Sequence, residues 1–181
     1  MTHTATALSR RRLLAALSLL ATATPGAAVF AQAYREISWD DLVPKGWDPM
    51  KSMPDRGAVS PLNDADPRAQ AFYNQLREAW DNAPTVKALD GRRVKLPGYI
   101  VPLELTKEGL HEFLLVPYFG ACIHTPPPPA NQIVLVRTAP VKGLRSMDAV
   151  WVTGTLDLQR AQSQMGVTGY GLQAASVTPF K

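Results

Sequence analysis

The chain has a single cysteine, Cys122, among its 181 residues. No intramolecular disulfide can form, so stability has to come from an apolar core. It also lacks an apolar run of the roughly 20 residues that a membrane-spanning helix needs. Strong charge of either sign is missing once the N-terminus is set apart. Residues 1–33 hold three arginines and no acid, which leaves sixteen basic and fifteen acidic residues in 34–181, a net of +1. That balance offers no basic field of the kind nucleic-acid binding uses, so nucleic acid is not expected as a partner. No internal repeat is present.

What the N-terminus does have is an export pattern. Ser9-Arg10-Arg11-Arg12-Leu13-Leu14 is followed by a short apolar stretch to Ala23, a break at Pro25-Gly26, and Ala31-Gln32-Ala33. A basic region, a short apolar region and a small-x-small site make a cleavable signal. Arg10 and Arg11 followed by leucines fit the twin-arginine (Tat) type, with an ordinary arginine-rich secretory signal as the alternative. Cleavage is expected after Ala33, placing a soluble mature chain in the periplasm with no permanent membrane span. No cysteine stands at the cleavage site to carry a lipid anchor.

The remaining 148 residues, 34–181, suffice for one domain with a core of its own. Residues 34–84 read as an arm and a helix, and 85–181 as a β domain. The arm carries Trp39 and Trp47 among prolines and glycines. Asp66-Pro67 is an N-cap followed by proline at the first helical position, and Phe72, Tyr73, Leu76, Ala79 and Trp80 recur at helical spacing. From residue 86 the apolar period becomes two. Strands are expected over Val94–Leu105 (bent at Pro97-Gly98 and Pro102), Glu112–Tyr118, Gln132–Arg137, Asp148–Leu158 and Gly169–Phe180. Gly154 marks a bulge, and a short helix fits between Leu158 and Met165. A long bent first strand and five strands in all predict a mainly β fold, a small five-stranded OB-like barrel.

Chemistry concentrates in Tyr118–Gln132, YFGACIHTPPPPANQ. In extended backbone, residues i and i+2 point the same way, so Cys122 and His124 can converge on one ion. Thiolate plus imidazole suits zinc or copper rather than magnesium or calcium. The four prolines 126–129 stiffen the loop and donate no backbone hydrogen bond. Asn131 and Gln132 are placed to orient His124 from behind, as outer groups around metals often do. A structural zinc site wants four protein ligands, and this chain offers one thiolate, His124, the more distant His111, and Glu104 as a carboxylate. The expected metal set is Cys122, His124 and Glu104, completed by water or a partner. The bland readings are a buried cysteine, an unremarkable histidine and a rigid connector.

Leu89–Glu104 (LDGRRVKLPGYIVPLE), Glu112–Gln132 (EFLLVPYFGACIHTPPPPANQ) and Val150–Thr155 (VWVTGT) resemble a bacterial exported family, the domain of unknown function 3299, over about residues 36–180. The resemblance implies an OB-like β-barrel in a periplasmic setting. Relatives encoded beside zinc-responsive transporter genes imply metal trafficking, an association rather than a mechanism. Family members that are lipoproteins carry a lipobox cysteine, which this chain lacks.

Three functions follow as expectations. The first is a non-enzymatic periplasmic accessory protein that binds a transition metal, zinc, for a transporter subunit or other periplasmic protein. The second is a thiol enzyme, with His124 lowering the Cys122 pKa and Asn131 orienting the histidine. The third is a pure protein-binding module presenting Tyr118, Phe119 and the prolines, with Cys122 buried and inert.

Overall fold

The computed structural model describes residues 33–52, 66–121 and 127–180. The export signal up to Gln32, with Arg10, Arg11 and Ala31, lies outside these residues, and so do Cys122 and His124. Among the described residues no helix is long and apolar enough to cross a membrane.

The expected helix is α1, Pro67–Asp81. Its start is fixed as the sequence suggests: the Asp66 side chain accepts from the Arg68 backbone N–H and Pro67 opens the first turn. Among the described residues six strands follow one another: β1 (Arg35–Glu36), β2 (Arg92–Thr106), β3 (Gly109–Val116), β4 (Val134–Val141), β5 (Ala149–Ser163) and β6 (Gly166–Pro179). The order β2-β3-β4-β6-β5 closes back on β2, with β4 and β6 parallel and the other ring contacts antiparallel. This is a closed five-stranded barrel of OB-like connectivity, as expected. Nothing in the pattern of residues 34–37 marks β1, a two-residue strand that lies outside the ring and pairs parallel with Val94 and Lys95.

β2 closes the ring by serving two partners. Arg92–Tyr99 pair with β5, and Tyr99–Thr106 pair with β3. Its side chains alternate inward as Val94, Leu96 and Ile100, and then Val101 is buried directly after Ile100. Ile100 joins the barrel core, whereas Val101 joins a second cluster with Leu114, Val116, Ala121, Ile133 and Leu135. On β3, Phe113 and Leu115 face the main core while Leu114 and Val116 face the second cluster. Because side chains alternate across a strand, the second cluster lies on the outer face of β3 and β4. Burial on both faces explains why β3 reads as a continuous apolar run.

The bulge expected at Gly154 is present, as a register shift between Thr153 and Gly154 on the β6 side. The helix expected between Leu158 and Met165 is not formed. β5 instead runs on to Ser163, pairing Ala161, Gln162 and Ser163 with Thr168, Val167 and Gly166. A second register shift after Leu158 absorbs the irregularity, and the Ala161 N–H donates to Thr168 Oγ1 at 3.2 Å. That cross-strand bond holds the extended conformation.

The arm packs both its tryptophans. Trp39 lies against the main core and donates Nε1–H to the Pro97 carbonyl at 2.7 Å. Trp47 lies against Ala83, Ala130 and Val167.

Candidate functional site

The Cys-x-His loop leaves β3 at Val116 and enters β4 at Val134, and both of its stems are described. On the first stem, Tyr118 and Phe119 are 45% and 68% exposed, whereas Ala121 is fully buried in the second cluster. Phe119 meets Tyr99 edge-to-face, ring centroids 5.9 Å apart. Gly120 has φ +84 and donates its N–H to the Met147 sulfur at 3.2 Å. Met147 itself has φ +66, a conformation that costs a residue with a side chain about 1 kcal/mol. Packing of its thioether against the second cluster and the contact with Gly120 hold it there.

On the second stem, Pro128, Ala130 and Asn131 are buried. Pro129 has polyproline-like backbone angles (φ −55, ψ 152) and a 3-10 turn, Ala130–Gln132, follows. The Asn131 Nδ2–H donates to the Pro84 carbonyl at 3.0 Å, and the Gln132 Nε2–H donates to the Trp39 carbonyl at 2.8 Å. Both side-chain amides expected behind His124 thus tie the loop's exit to the segment before the barrel and to the arm. Asn131 Oδ1 is buried and accepts no hydrogen bond among the described residues. Replacing Asn131 with alanine should cost about 1 kcal/mol, the net worth of its bond to the exposed Pro84, since water can take up the freed carbonyl. Urea denaturation of the wild type and the variant measures this.

Glu104 and His111 are brought to each other. Glu104 Oε1 lies 3.5 Å from His111 Nε2 across the β2–β3 ladder. Glu104 is five residues along β2 from Tyr99, whose partner Val116 is where the loop departs. At about 3.3 Å per residue that is roughly 16 Å along the strand. Among the described residues no three His, Cys, Asp or Glu side chains cluster in metal-binding geometry.

The sequence did not expose a second centre of hydrogen bonding, at Tyr170 on β6. This fully buried side chain accepts the Val86 N–H at 2.7 Å and donates its hydroxyl proton to the Leu42 carbonyl at 2.8 Å. Burial raises its pKa above the ordinary tyrosine value, and the Val86 N–H opposes that shift. A buried tyrosine hydroxyl needs partners, but nothing in the pattern around Gly169-Tyr170-Gly171 names which backbone groups these are.

The arm and residues 85–94 face each other across a cavity of ≈ 860 Å³. Asp41 is on its lining, its carboxylate accepting from the Ser38 N–H and hydroxyl at 2.8 and 3.0 Å. Those bonds lower its pKa, with the nearby Arg35 charge adding to the effect.

No curated protein matches the chain. A solved structure does: the crystal structure of a DUF3299-family protein from Pseudomonas aeruginosa PAO1 is 44% identical, covers 82% of this chain and 97% of its own, and superposes with a TM-score of 0.62. The family model described as "Protein of unknown function (DUF3299)" matches residues 39–179, which span the arm, α1 and the whole barrel. The chain belongs to the DUF3299 family.

Proposed function

We propose that this protein is an exported, non-enzymatic accessory protein of the periplasm that binds a transition metal, zinc first among them, through Cys122 and His124. The observation that carries the reading is the anchoring of the loop's two stems. Ala121 is fully buried on one side, and Pro128, Ala130 and Asn131 are buried on the other. Between the described stems lie five residues, 122–126, which hold both candidate donors. Fixed ends lower the entropy lost when two side chains close on one ion. Glu104, the third donor expected, lies 3.5 Å from His111 on the β2–β3 hairpin, and water or a partner completes the set. An open site of that kind suits hand-over of an ion better than structural stapling. The exposed Tyr118 and Phe119 beside it offer a partner, such as a transport-system subunit, an aromatic contact. They equally favour a second reading, a docking module without metal.

Metal analysis of untagged protein purified without chelator separates the two. About one zinc per chain in the wild type, lost in both Cys122→Ser and His124→Ala, supports the metal reading. Equal and negligible metal in all three, after incubation with zinc and with copper(I), defeats it and leaves the docking module.

A further inference from the structure

The cavity between the arm and residues 85–94 gathers cations without matching acids. Arg35, Lys45, Lys87, Arg92 and Arg93 line it, against two carboxylates, Asp40 and Asp41. The lining is therefore +3, whereas residues 34–181 as a whole are only +1. The rest of that chain is net negative, so the charge is placed rather than diffuse. Asp41 is committed to Ser38, and Arg92 Nε–H donates to the Ala88 carbonyl. The Arg93 guanidinium lies 4.3 Å over the Tyr34 ring. Among the described residues Lys45 and Lys87 form no ion pair, whereas the Arg35 charge acts on the Asp41 carboxylate. Like charges held around one concavity repel, and a bound anion relieves that repulsion.

The walls are fixed in advance. The Tyr170 hydroxyl bonds to Val86, on the lining, and to the carbonyl of the buried Leu42, between the lining residues Asp41 and Val43. The amide pair on the 3-10 turn holds Pro84 and Trp39 beside them. The base is apolar, with Ile37, Leu89 and Val94 almost wholly buried. A cavity of this size with an apolar base and charged groups on its lining has the make-up of a ligand site. Arginine forks among those groups suit oxyanions, which they can grip with two parallel hydrogen bonds.

We infer that this cavity binds a multivalent oxyanion, independently of any metal at the Cys-x-His loop. A phosphate group supplies the right chemistry, either on a soluble molecule or on an anionic lipid headgroup. Titration of the full chain with pyrophosphate at low salt, followed by calorimetry, tests the soluble source. Flotation with phosphatidylglycerol vesicles, against phosphatidylcholine vesicles, tests the lipid source. Saturable binding in at least one arm is expected, weakened about tenfold or more by Lys45→Glu with Lys87→Glu, which reverses the sign of the lining. Lys107→Glu with Lys142→Glu makes the same change in net charge away from the cavity and should alter affinity less than twofold. Far-ultraviolet circular dichroism confirms that each variant is folded. No saturable binding in either arm, or equal weakening by the two double variants, overturns the inference. The first of these outcomes would point instead to an acidic protein segment or to solvated charge alone.

Discussion

Gly154→Ala should destabilise the barrel by about 3 kcal/mol or more, at the upper end of what overpacking costs. A Cβ built on Gly154 would stand 2.2 Å from the Gln173 carbonyl oxygen, 2.6 Å from Leu172 Cδ2 and 2.9 Å from Ala174 Cα. Two of those atoms are backbone of the neighbouring strand, so no rotamer change relieves the clash. Gly154 also pairs with Val94 on β2 and with Ala174 on β6, at the register shift where β5 bends between them. Pushing β6 away would open the ring at its longest ladder. Thermal and urea denaturation of the variant should show a lower midpoint. Gly143→Ala is the fitting control for glycine content, since its Cβ would meet nothing within 4 Å and only its φ of +81 is strained. Its loss should be about 1 kcal/mol.

Tyr170→Phe should cost about 2–4 kcal/mol, because removing one hydroxyl strands two backbone groups at once. The Val86 N–H loses its acceptor and the carbonyl of the fully buried Leu42 loses its donor. The ring itself stays, so the loss reports hydrogen bonding rather than packing. The variant should also release both walls of the cavity, which amide hydrogen exchange at residues 85–90 and 40–43 would detect. A pH signature follows. Burial raises the Tyr170 pKa in the folded state. The unfolded chain therefore loses this proton first as pH rises past about 10, the ordinary tyrosine value. The stability tied to the protonated hydroxyl is complete below pH 10 and declines as pH rises through the higher folded value. In Tyr170→Phe this part of the alkaline decline should be missing. An unchanged midpoint in the variant would show that the two bonds contribute nothing net.

How much of this was legible in the sequence depends on whether the signal was local. The cap at Asp66-Pro67 and the bulge at Gly154 are written in one or two residues, and both are found where expected. The period-two pattern from Val94 onward yielded the barrel strands with shifted ends. β3 begins at Gly109 rather than Glu112, because pairing of Thr106 with Gly109 closes the hairpin. Strand β1 escaped because two polar residues, Arg35 and Glu36, carry no pattern at all. The 159–163 segment misled for the opposite reason. Its polar residues tolerate either structure, and pairing with Gly166–Thr168 decides the matter from outside the segment.

The site divides along the same line. That Asn131 and Gln132 close the loop at the mouth of the next strand was legible. That their amide nitrogens reach 47 and 93 residues away, to Pro84 and Trp39, was not. Tyr170 reaches 84 and 128 residues away, to Val86 and Leu42, and carries no local mark of either partner. Cys122 and His124 lie outside the described residues, and their reading rests on residue type and spacing alone.

Closure of the ring has a further effect on how copies of this chain meet. An open sheet ends in rows of unsatisfied N–H and C=O groups that template association with any strand nearby. Here β2 through β6 satisfy one another around the circle, and the strand left outside is two residues long. Both of those residues, Arg35 and Glu36, are exposed and charged. A neighbour trying to extend the sheet at that position would have too little length to grip and would have to strip water from two ions. The fold thus resists fibre-like self-association without disulfides to hold it shut.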